Sequence, residues 1–199
     1  MNGTALFLPG MFRPQDKLEK TVTVQNEYKY HVACENADKY QYFEIDGSAL
    51  SNDIHIGLSQ FSGHTDKKWE IVIGGWGGTQ SVLRLRDATT NIQRLALPHS
   101  KTFYNSIRGN IQVSVSDGEL IVRVNGEDFL KYTDNSIKKS ELKYVLLSGG
   151  WGGQGTYKIV GTPIEGDGKF SISKSTFFRS RHSSTNFNNK TDNSRSRYR

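Results

Sequence analysis

Alternating apolar and polar positions recur along the chain from Val22 to Val160, the period-two pattern typical of β-strands. The clearest block covers residues 110–132, where Asp117-Gly118 and Asn125-Gly126 separate three alternating runs. These dipeptides tolerate the positive φ of tight hairpin turns, so the block predicts a three-stranded antiparallel meander. Helical periodicity is scarce, and residues 138–143 predict no more than one short turn.

About a dozen short strands separated by turns predict an all-β fold, either an antiparallel β-sandwich of jelly-roll type or a barrel. The apolar residues on one side of each strand would form its core. The predicted core residues are Trp69, Ile71, Ile73, Leu83, Leu85, Ile111, Val113, Val115, Leu120, Val122, Val124 and Leu146.

A string of five residues, Gly-Gly-Trp-Gly-Gly, occurs at residues 74–78 and again at residues 149–153. Each copy follows an apolar run and precedes an alternating run, which predicts strand, glycine loop and strand. A phosphate-binding loop would run into a helix instead, so a nucleotide or S-adenosylmethionine site is not favoured here. Trp76 and Trp151 are then either stacking platforms for a ligand or rings that plug the ends of the sandwich.

The net positive charge of the chain comes from its C-terminal end. Residues 167–199 contain eight Lys or Arg and two Asp, whereas residues 1–166 contain 18 bases and 18 acids, so the formal charge of +6 belongs to the tail. The tail is rich in Ser, Asn and Arg and predicts disorder. It would bind an acidic partner such as RNA by charge, or serve only as a solubilising segment. The predicted organisation is an extension (1–20), a sandwich domain (21–166) and a basic tail (167–199).

The N-terminal sequence and the number of cysteines bear on the cellular compartment. The first twelve residues lack the basic region and the long apolar run of a signal peptide, and no stretch approaches the ~18 apolar residues of a membrane helix. We therefore expect a cytoplasmic protein with no membrane span, or an extracellular one if the N-terminus results from processing. Cys34 is the single cysteine, which predicts a buried thiol rather than a redox site.

Catalytic motifs are not recognisable in the sequence, and no catalytic residue, metal site or cofactor is predicted. Asp53 and His55 would share one face of a strand and could contribute to a metal site. Because two ligands do not make such a site, we expect both to be polar surface residues.

Two segments together resemble the farnesoic acid O-methyltransferase domain family. The first comprises residues 70–77 followed by Ser81-Val82-Leu83-Arg84, and the second runs from Tyr144-Val145 through the second glycine string to Tyr157. Gly78 stands where that family often has Asn. The resemblance covers most of residues 28–160 and implies a lectin-like β-sandwich. By its name, the family also implies methyl transfer to a sesquiterpene acid.

Three functions remain open. The favoured one is a non-catalytic recognition module that binds a carbohydrate, a small apolar acid or a protein partner. Its ligand-binding residues would be Trp76 and Trp151, with Gln80, Arg84 and Arg86 as polar neighbours. The second is the S-adenosylmethionine-dependent enzyme that the resemblance implies, with Arg84 or Arg86 pairing the acid. The third is an assembly subunit, with homo-oligomers tethered by the tail.

Overall fold

The structure is a computed structural model that describes residues 17–47, 52–99, 109–150 and 153–164. Within these ranges, twelve strands make up the fold, and each pairs with its neighbours in antiparallel register. The strands are β1 (Leu18–Val24), β2 (His31–Glu35), β3 (Tyr40–Asp46), β4 (Ile54–Ser59), β5 (Lys68–Gly74), β6 (Gln80–Arg86), β7 (Asn91–Pro98), β8 (Asn110–Ser116), β9 (Glu119–Val124), β10 (Glu127–Thr133), β11 (Tyr144–Gly149) and β12 (Gly155–Pro163).

The strands form two six-stranded sheets. The first sheet has the order β1-β12-β3-β8-β9-β10, and the second has the order β2-β11-β4-β5-β6-β7. Apolar side chains from both sheets meet in one buried cluster, which contains, for example, Ile45 of the first sheet and Ile71 of the second. The predicted antiparallel β-sandwich is therefore confirmed.

The predicted meander is confirmed as β8, β9 and β10, which pair in sequence. Asn125 and Gly126 both have positive φ, at 54° and 85°, as a tight hairpin turn between β9 and β10 requires. Helical structure in the described residues is limited to three short pieces, namely a four-residue turn (Gly75–Gly78) and two 3-10 turns (Ala37–Lys39 and Lys139–Glu141). None of the described helices is long and apolar enough to cross a membrane.

The predicted core residues are buried or pack against the buried cluster, with Leu146 buried outside that cluster. Cys34 is also buried, as expected, and burial raises its pKa to about 12. The described residues lie in one unit that extends to Gly166. The tail of residues 167–199 lies outside the described residues, and the three-part organisation stays a prediction.

Strands β4 and β5 are buried along their whole length, on both of their faces. A strand in a two-layer sandwich normally buries one face and exposes the other. The outer face of the second sheet must therefore be covered at its centre. The segment before β2 provides part of this cover, because it places Tyr28 and Tyr30 against Glu70 of β5.

Candidate functional site

A cleft of about 770 Å³ lies on the outer face of the second sheet. Its base is formed by residues of β4, β5 and β6, and its walls come from residues 26–28, Gly150 and the turn that carries Trp76. The cleft therefore collects side chains from segments that are far apart in the sequence.

Glu70 lies beneath this cleft and has no solvent-exposed surface. Its Oε1 atom accepts hydrogen bonds from the hydroxyls of Tyr28 and Tyr30, and contacts Nδ1 of His55 at 3.0 Å. Gly57 makes room for this arrangement, because a Cβ there would lie 3.2 Å from the Tyr30 ring. One carboxylate oxygen thus joins the segment before β2 to strands β4 and β5.

The second oxygen of Glu70 binds the two arginines of β6. Arg84 lies directly across from Glu70 in the β5–β6 pairing and donates from Nε to Oε2. Arg86 brings Nη1 to 3.7 Å from the same oxygen and lies over the Tyr28 ring, with Cζ 4.3 Å from the ring centre. Both oxygens of Glu70 are fully engaged with protein donors.

The charge on Glu70 is held by its neighbours. Burial alone would raise its pKa, but hydrogen bonds from His55 and Arg84 outweigh burial and hold the pKa well below its ordinary value. The pKa of Tyr28 changes in the opposite direction, because burial and the charge of Glu70 raise it to about 12. At neutral pH the base of the cleft therefore contains an ionised carboxylate and a neutral phenol.

His55 lies between two carboxylates. Its Nδ1 contacts Glu70 at 3.0 Å and its Nε2 contacts Asp53 at 3.1 Å. Burial opposes protonation of the ring, but the hydrogen bonds to Asp53 and Glu70 prevail and raise the pKa of His55. Because a carboxylate can only accept, both ring nitrogens must donate, which requires the imidazolium form.

The expectation that Asp53 and His55 are polar surface residues is wrong, since each is only 4% exposed. The cause is Gly150 of the second glycine string, which packs against both side chains. A Cβ on Gly150 would lie 2.3 Å from Asp53 Oδ2 and 2.5 Å from His55 Nε2. The described residues contain no group of three or more His, Cys, Asp or Glu side chains placed to hold a metal ion.

The turn between β5 and β6, residues 74–79, is called the tryptophan loop below. Trp76 adopts the left-handed conformation, with φ 53° and ψ 45°, and its side chain is 56% exposed. The loop is fixed by a 2.8 Å hydrogen bond from Thr79 Oγ1 to the Trp76 carbonyl, and by a 3.0 Å bond from Gly74 N to Ser81 Oγ. A ring that fills an end of the sandwich would be buried, so Trp76 is not such a plug.

Among the predicted site residues, Trp76, Arg84 and Arg86 all line the cleft. Gln80 lies at the start of β6, is half-buried, and pairs with Gly75 across the tryptophan loop. Trp151 lies outside the described residues. The assignment of these five residues to a binding site stays a prediction.

Sequence reasoning missed Glu70 and the groups that bind it, Tyr28, Tyr30 and His55. One signal was present in the sequence. Glu70 interrupts an apolar run, between Trp69 and Ile71, and a charge at such a position needs a partner. The partners themselves could not be inferred, because they come from other strands.

Comparison with known proteins places these features in context. A family model described as farnesoic acid O-methyl transferase matches residues 24–162. A comparison with curated proteins gives no match.

Among solved structures, the chain is similar to three galectins. Sheep galectin-11 in complex with glycerol is 12% identical, with coverage of 74% of this chain and 99% of that chain and a TM-score of 0.44. A variant of human galectin-16 is 14% identical, with coverage of 74% and 96% and a TM-score of 0.43. Galectin LEC-6 of Caenorhabditis elegans is 12% identical, with coverage of 70% and 94% and a TM-score of 0.43.

Proposed function

The chain belongs to the farnesoic acid O-methyl transferase family, and we propose that this member is a non-catalytic recognition module. Its ligand is a carbohydrate that enters the cleft of the second sheet and stacks one sugar ring on Trp76. The other ligands considered from the sequence, a small apolar acid or a protein partner, are outcomes of the test below.

The observation that carries this proposal is the conformation of Trp76. A bulky residue in the left-handed region costs about 1–2 kcal/mol relative to an ordinary conformation. Burial does not compensate for this cost, because more than half of the Trp76 side chain is exposed. An exposed, strained aromatic ring beside a cleft is typical of a functional residue.

The polar groups of the cleft also suit a sugar. Sugar recognition needs an aromatic surface for the apolar face of the ring and fixed polar groups for its hydroxyls. The arginines supply donors, and Glu70 and Tyr28 fix their positions. Since these groups are ordered before the ligand arrives, binding would lose little free energy to reorganisation.

Methyl transfer to a terpenoid acid is the alternative that the family name suggests. In that case Arg84 or Arg86 would pair the carboxylate of the substrate. Arg84 already donates to Glu70, so such a substrate would compete with a buried, ionised carboxylate. Calorimetric titration of S-adenosylmethionine into the full chain tests this alternative, and stoichiometric micromolar binding would replace our proposal.

The direct test is binding of the full chain to a panel of immobilised oligosaccharides, followed by titration of the best ligand. We expect Trp76→Ala to weaken binding at least tenfold, which corresponds to about 1.4 kcal/mol for the lost ring contact. Phe61→Ala is the matched control, because Phe61 is 55% exposed but does not line the cleft.

Two results would contradict the proposal. One is that no oligosaccharide binds up to millimolar concentration. The other is that Trp76→Ala and Phe61→Ala bind the selected sugar as well as the unaltered chain does.

A further inference from the structure

The two arginines of the cleft differ in how many donors they have left for a ligand. Arg84 is mostly enclosed and gives its Nε to Glu70. Arg86 keeps 31% of its side chain exposed, and its bonds to protein use Nη1 alone. Within the described part of the chain, its Nε and Nη2 have no hydrogen-bond acceptor. Arg86 therefore has donors to offer at the surface of the cleft.

Positive charge is concentrated at this end of the cleft. Lys68 pairs with Arg86 across β5 and β6, and Arg84 lies two residues from Arg86 on the same strand. Lys68 is buried behind the cleft, where its ammonium donates to the carbonyls of His64 and Asp66, so its charge acts on Arg86 without lining the cleft. Against these three cations, the outward-facing positions of β5 and β6 carry one carboxylate, that of Glu70. The imbalance favours an anion near Arg86.

The pKa of the nearby His64 is affected by the same positive charges. It is lowered by burial and by the positive charges of Lys68 and Arg86. Acids oppose these positive charges as well. Asp53 and the exposed Glu27 line the cleft, and Asp66 and Asp87 lie close enough to Lys68 to act on it.

Trp76 and Arg86 lie at opposite ends of the cleft. Trp76 lies two residues after Gly74, the last residue of β5, whereas Arg86 pairs with Lys68, the first residue of β5. Six residues of extended strand separate the two ends of β5, which is ~20 Å of backbone at ~3.4 Å per residue. The Arg86 guanidinium reaches back to 3.7 Å from Glu70, four residues before the end of β5, so the binding groups themselves are closer than the backbone ends. A ligand that reaches both positions must be longer than one sugar ring.

We propose that the Arg86 end of the cleft is a subsite for an anionic group, a carboxylate or a sulfate, on an oligosaccharide whose other end stacks on Trp76. This inference rests on the proposed function and names its ligand class, an acidic oligosaccharide. Stacking on Tyr28 orients the guanidinium, so the two unused nitrogens can bind two oxygens of one anion.

The experiment compares tetrasaccharides of equal length by calorimetry with the full chain. The probes are neutral maltotetraose, the uronate tetragalacturonate and a sulfated chondroitin tetrasaccharide. We expect at least one acidic probe to bind about tenfold more tightly than the neutral one. Preferential binding of tetragalacturonate would show that a carboxylate is sufficient. A preference for the chondroitin tetrasaccharide alone, which carries sulfate in addition to uronate, would indicate that the subsite requires sulfate.

Four variants locate the preference. Arg86→Gln should weaken binding of the acidic probe much more than binding of the neutral probe, so that the preference is lost. Arg86→Lys should retain only part of the preference, because an ammonium cannot bind two oxygens of one anion in the bidentate geometry of a guanidinium. Glu27→Gln should increase the preference. Arg94→Gln removes an exposed arginine that does not line the cleft and should have no effect. The basic tail is present in every variant, so its contribution cancels in the comparison.

The failure of this inference is distinguishable from the failure of the proposed function. Equal affinity for neutral and acidic probes, with both lost in Trp76→Ala, would overturn the anionic subsite and support the recognition module. A preference that survives in Arg86→Gln would also overturn the subsite. Absence of binding to any tetrasaccharide would overturn both.

Discussion

Glu70 shows how much of this site depends on a single residue. Its carboxylate accepts from two tyrosines, a histidine and an arginine, and these groups come from three parts of the chain. Removing one member of a buried ionic network leaves the others as uncompensated charges. Glu70 is therefore expected to be a structural requirement of the cleft.

Replacement of Glu70 by Gln tests this role. The amide keeps the volume but removes the charge beside Arg84 and His55, so we expect the free energy of unfolding to fall by about 3 kcal/mol. Urea unfolding measures the change. Glu119→Gln is the matched control, because Glu119 forms an ion pair with Lys131 at 2.8 Å at the protein surface. Loss of this pair should lower the free energy of unfolding far less. Equal effects of the two substitutions would contradict the role assigned to Glu70.

The histidine between the two carboxylates makes stability depend on pH. The folded pKa of His55 is raised above the unfolded value of about 6.5, so its stabilising contribution is complete below that pH. The contribution is lost as pH rises through the folded pKa. The contribution of Glu70 has the opposite pH dependence. Because its folded pKa is lowered, its ionised form stabilises the fold at neutral pH, and this contribution is lost only when strong acid protonates the carboxylate.

We therefore expect urea unfolding midpoints to fall between pH 6.5 and the folded pKa of His55. The reference variant is His55→Gln, in which this decrease should be absent. His64 and His99 have lowered pKa values and contribute with the opposite sign, and they are present in both proteins. If the two proteins lose stability in parallel, the imidazolium assignment is wrong.

The sequence was least informative about contacts between individual side chains. Arg84 and Arg86, which line the cleft, were predicted as site residues because they follow the first glycine string on one strand. Glu70 and Tyr28 were not, because a partner on another strand is known only when the strand register is known. The burial of His55 depends on Gly150, almost one hundred residues away, and the alternating pattern around His55 contains no trace of it.

The tryptophan loop can be tested as an element, apart from its binding role. At an ordinary helical or extended position, Ala stabilises a protein relative to Gly by about 0.4–1 kcal/mol. At Trp76, with φ 53°, the order should be reversed, and Trp76→Gly should be more stable than Trp76→Ala by about 1 kcal/mol. Comparing the two variants cancels the loss of the ring itself.

Thr79 provides the control for this comparison. It closes the same loop with φ −91°, so Thr79→Ala should be more stable than Thr79→Gly. Thermal unfolding of the four variants shows which of Ala and Gly is the more stable at each of the two positions. The same order of Ala and Gly at positions 76 and 79 would show that Trp76 is not strained in solution.

Elements differed in how well the sequence predicted them. The meander of β8 to β10 was predictable because its turns are local, and Asn125-Gly126 specifies one of them almost alone. The tryptophan loop was predicted as a glycine loop, but its left-handed tryptophan was not. Only the folded structure reveals that conformation, because it assigns positive φ to a residue that rarely adopts it.

At the scale of the whole molecule, the net charge of the sequence comes from residues 167–199, beyond the last described residue. The last described hydrogen bond of the sandwich joins Ile164 N to the Lys39 carbonyl at 3.0 Å, before the basic tail begins. Removal of residues 167–199 takes the formal charge from +6 to zero. The sandwich domain should then show weaker salt-dependent retention on a polyanionic matrix, because only the cleft is left to bind anions.

We expect this truncation to change the free energy of unfolding by less than 1 kcal/mol, or about 2–4 °C in melting temperature. Differential scanning calorimetry of the two chains measures the difference. A larger decrease would mean that the tail packs on the domain. Sedimentation of the same pair tests the assembly function, which requires an oligomer that dissociates when the tail is removed.

The overall architecture was predictable because period-two patterning is a local property repeated along the chain. The order of the strands was not, since β1 pairs with β12 and β2 with β11, across more than one hundred residues. Neither pairing has a signature in the alternation that predicted the strands.

The two glycine strings have the same sequence, but their glycines are required for different structural reasons. In the first, Gly77 has φ 69° and no atom within 4 Å of where a Cβ would lie. In the second, Gly150 has no positive φ, yet a Cβ there would collide with Asp53. Asparagine, which adopts the left-handed conformation at Asn125, should be accepted at Gly77. Alanine at Gly150 would require Asp53 and His55 to leave their buried hydrogen bond, so it should be much less well accepted than asparagine at Gly77. Mutation should therefore change Gly77 of the first string more readily than Gly150 of the second.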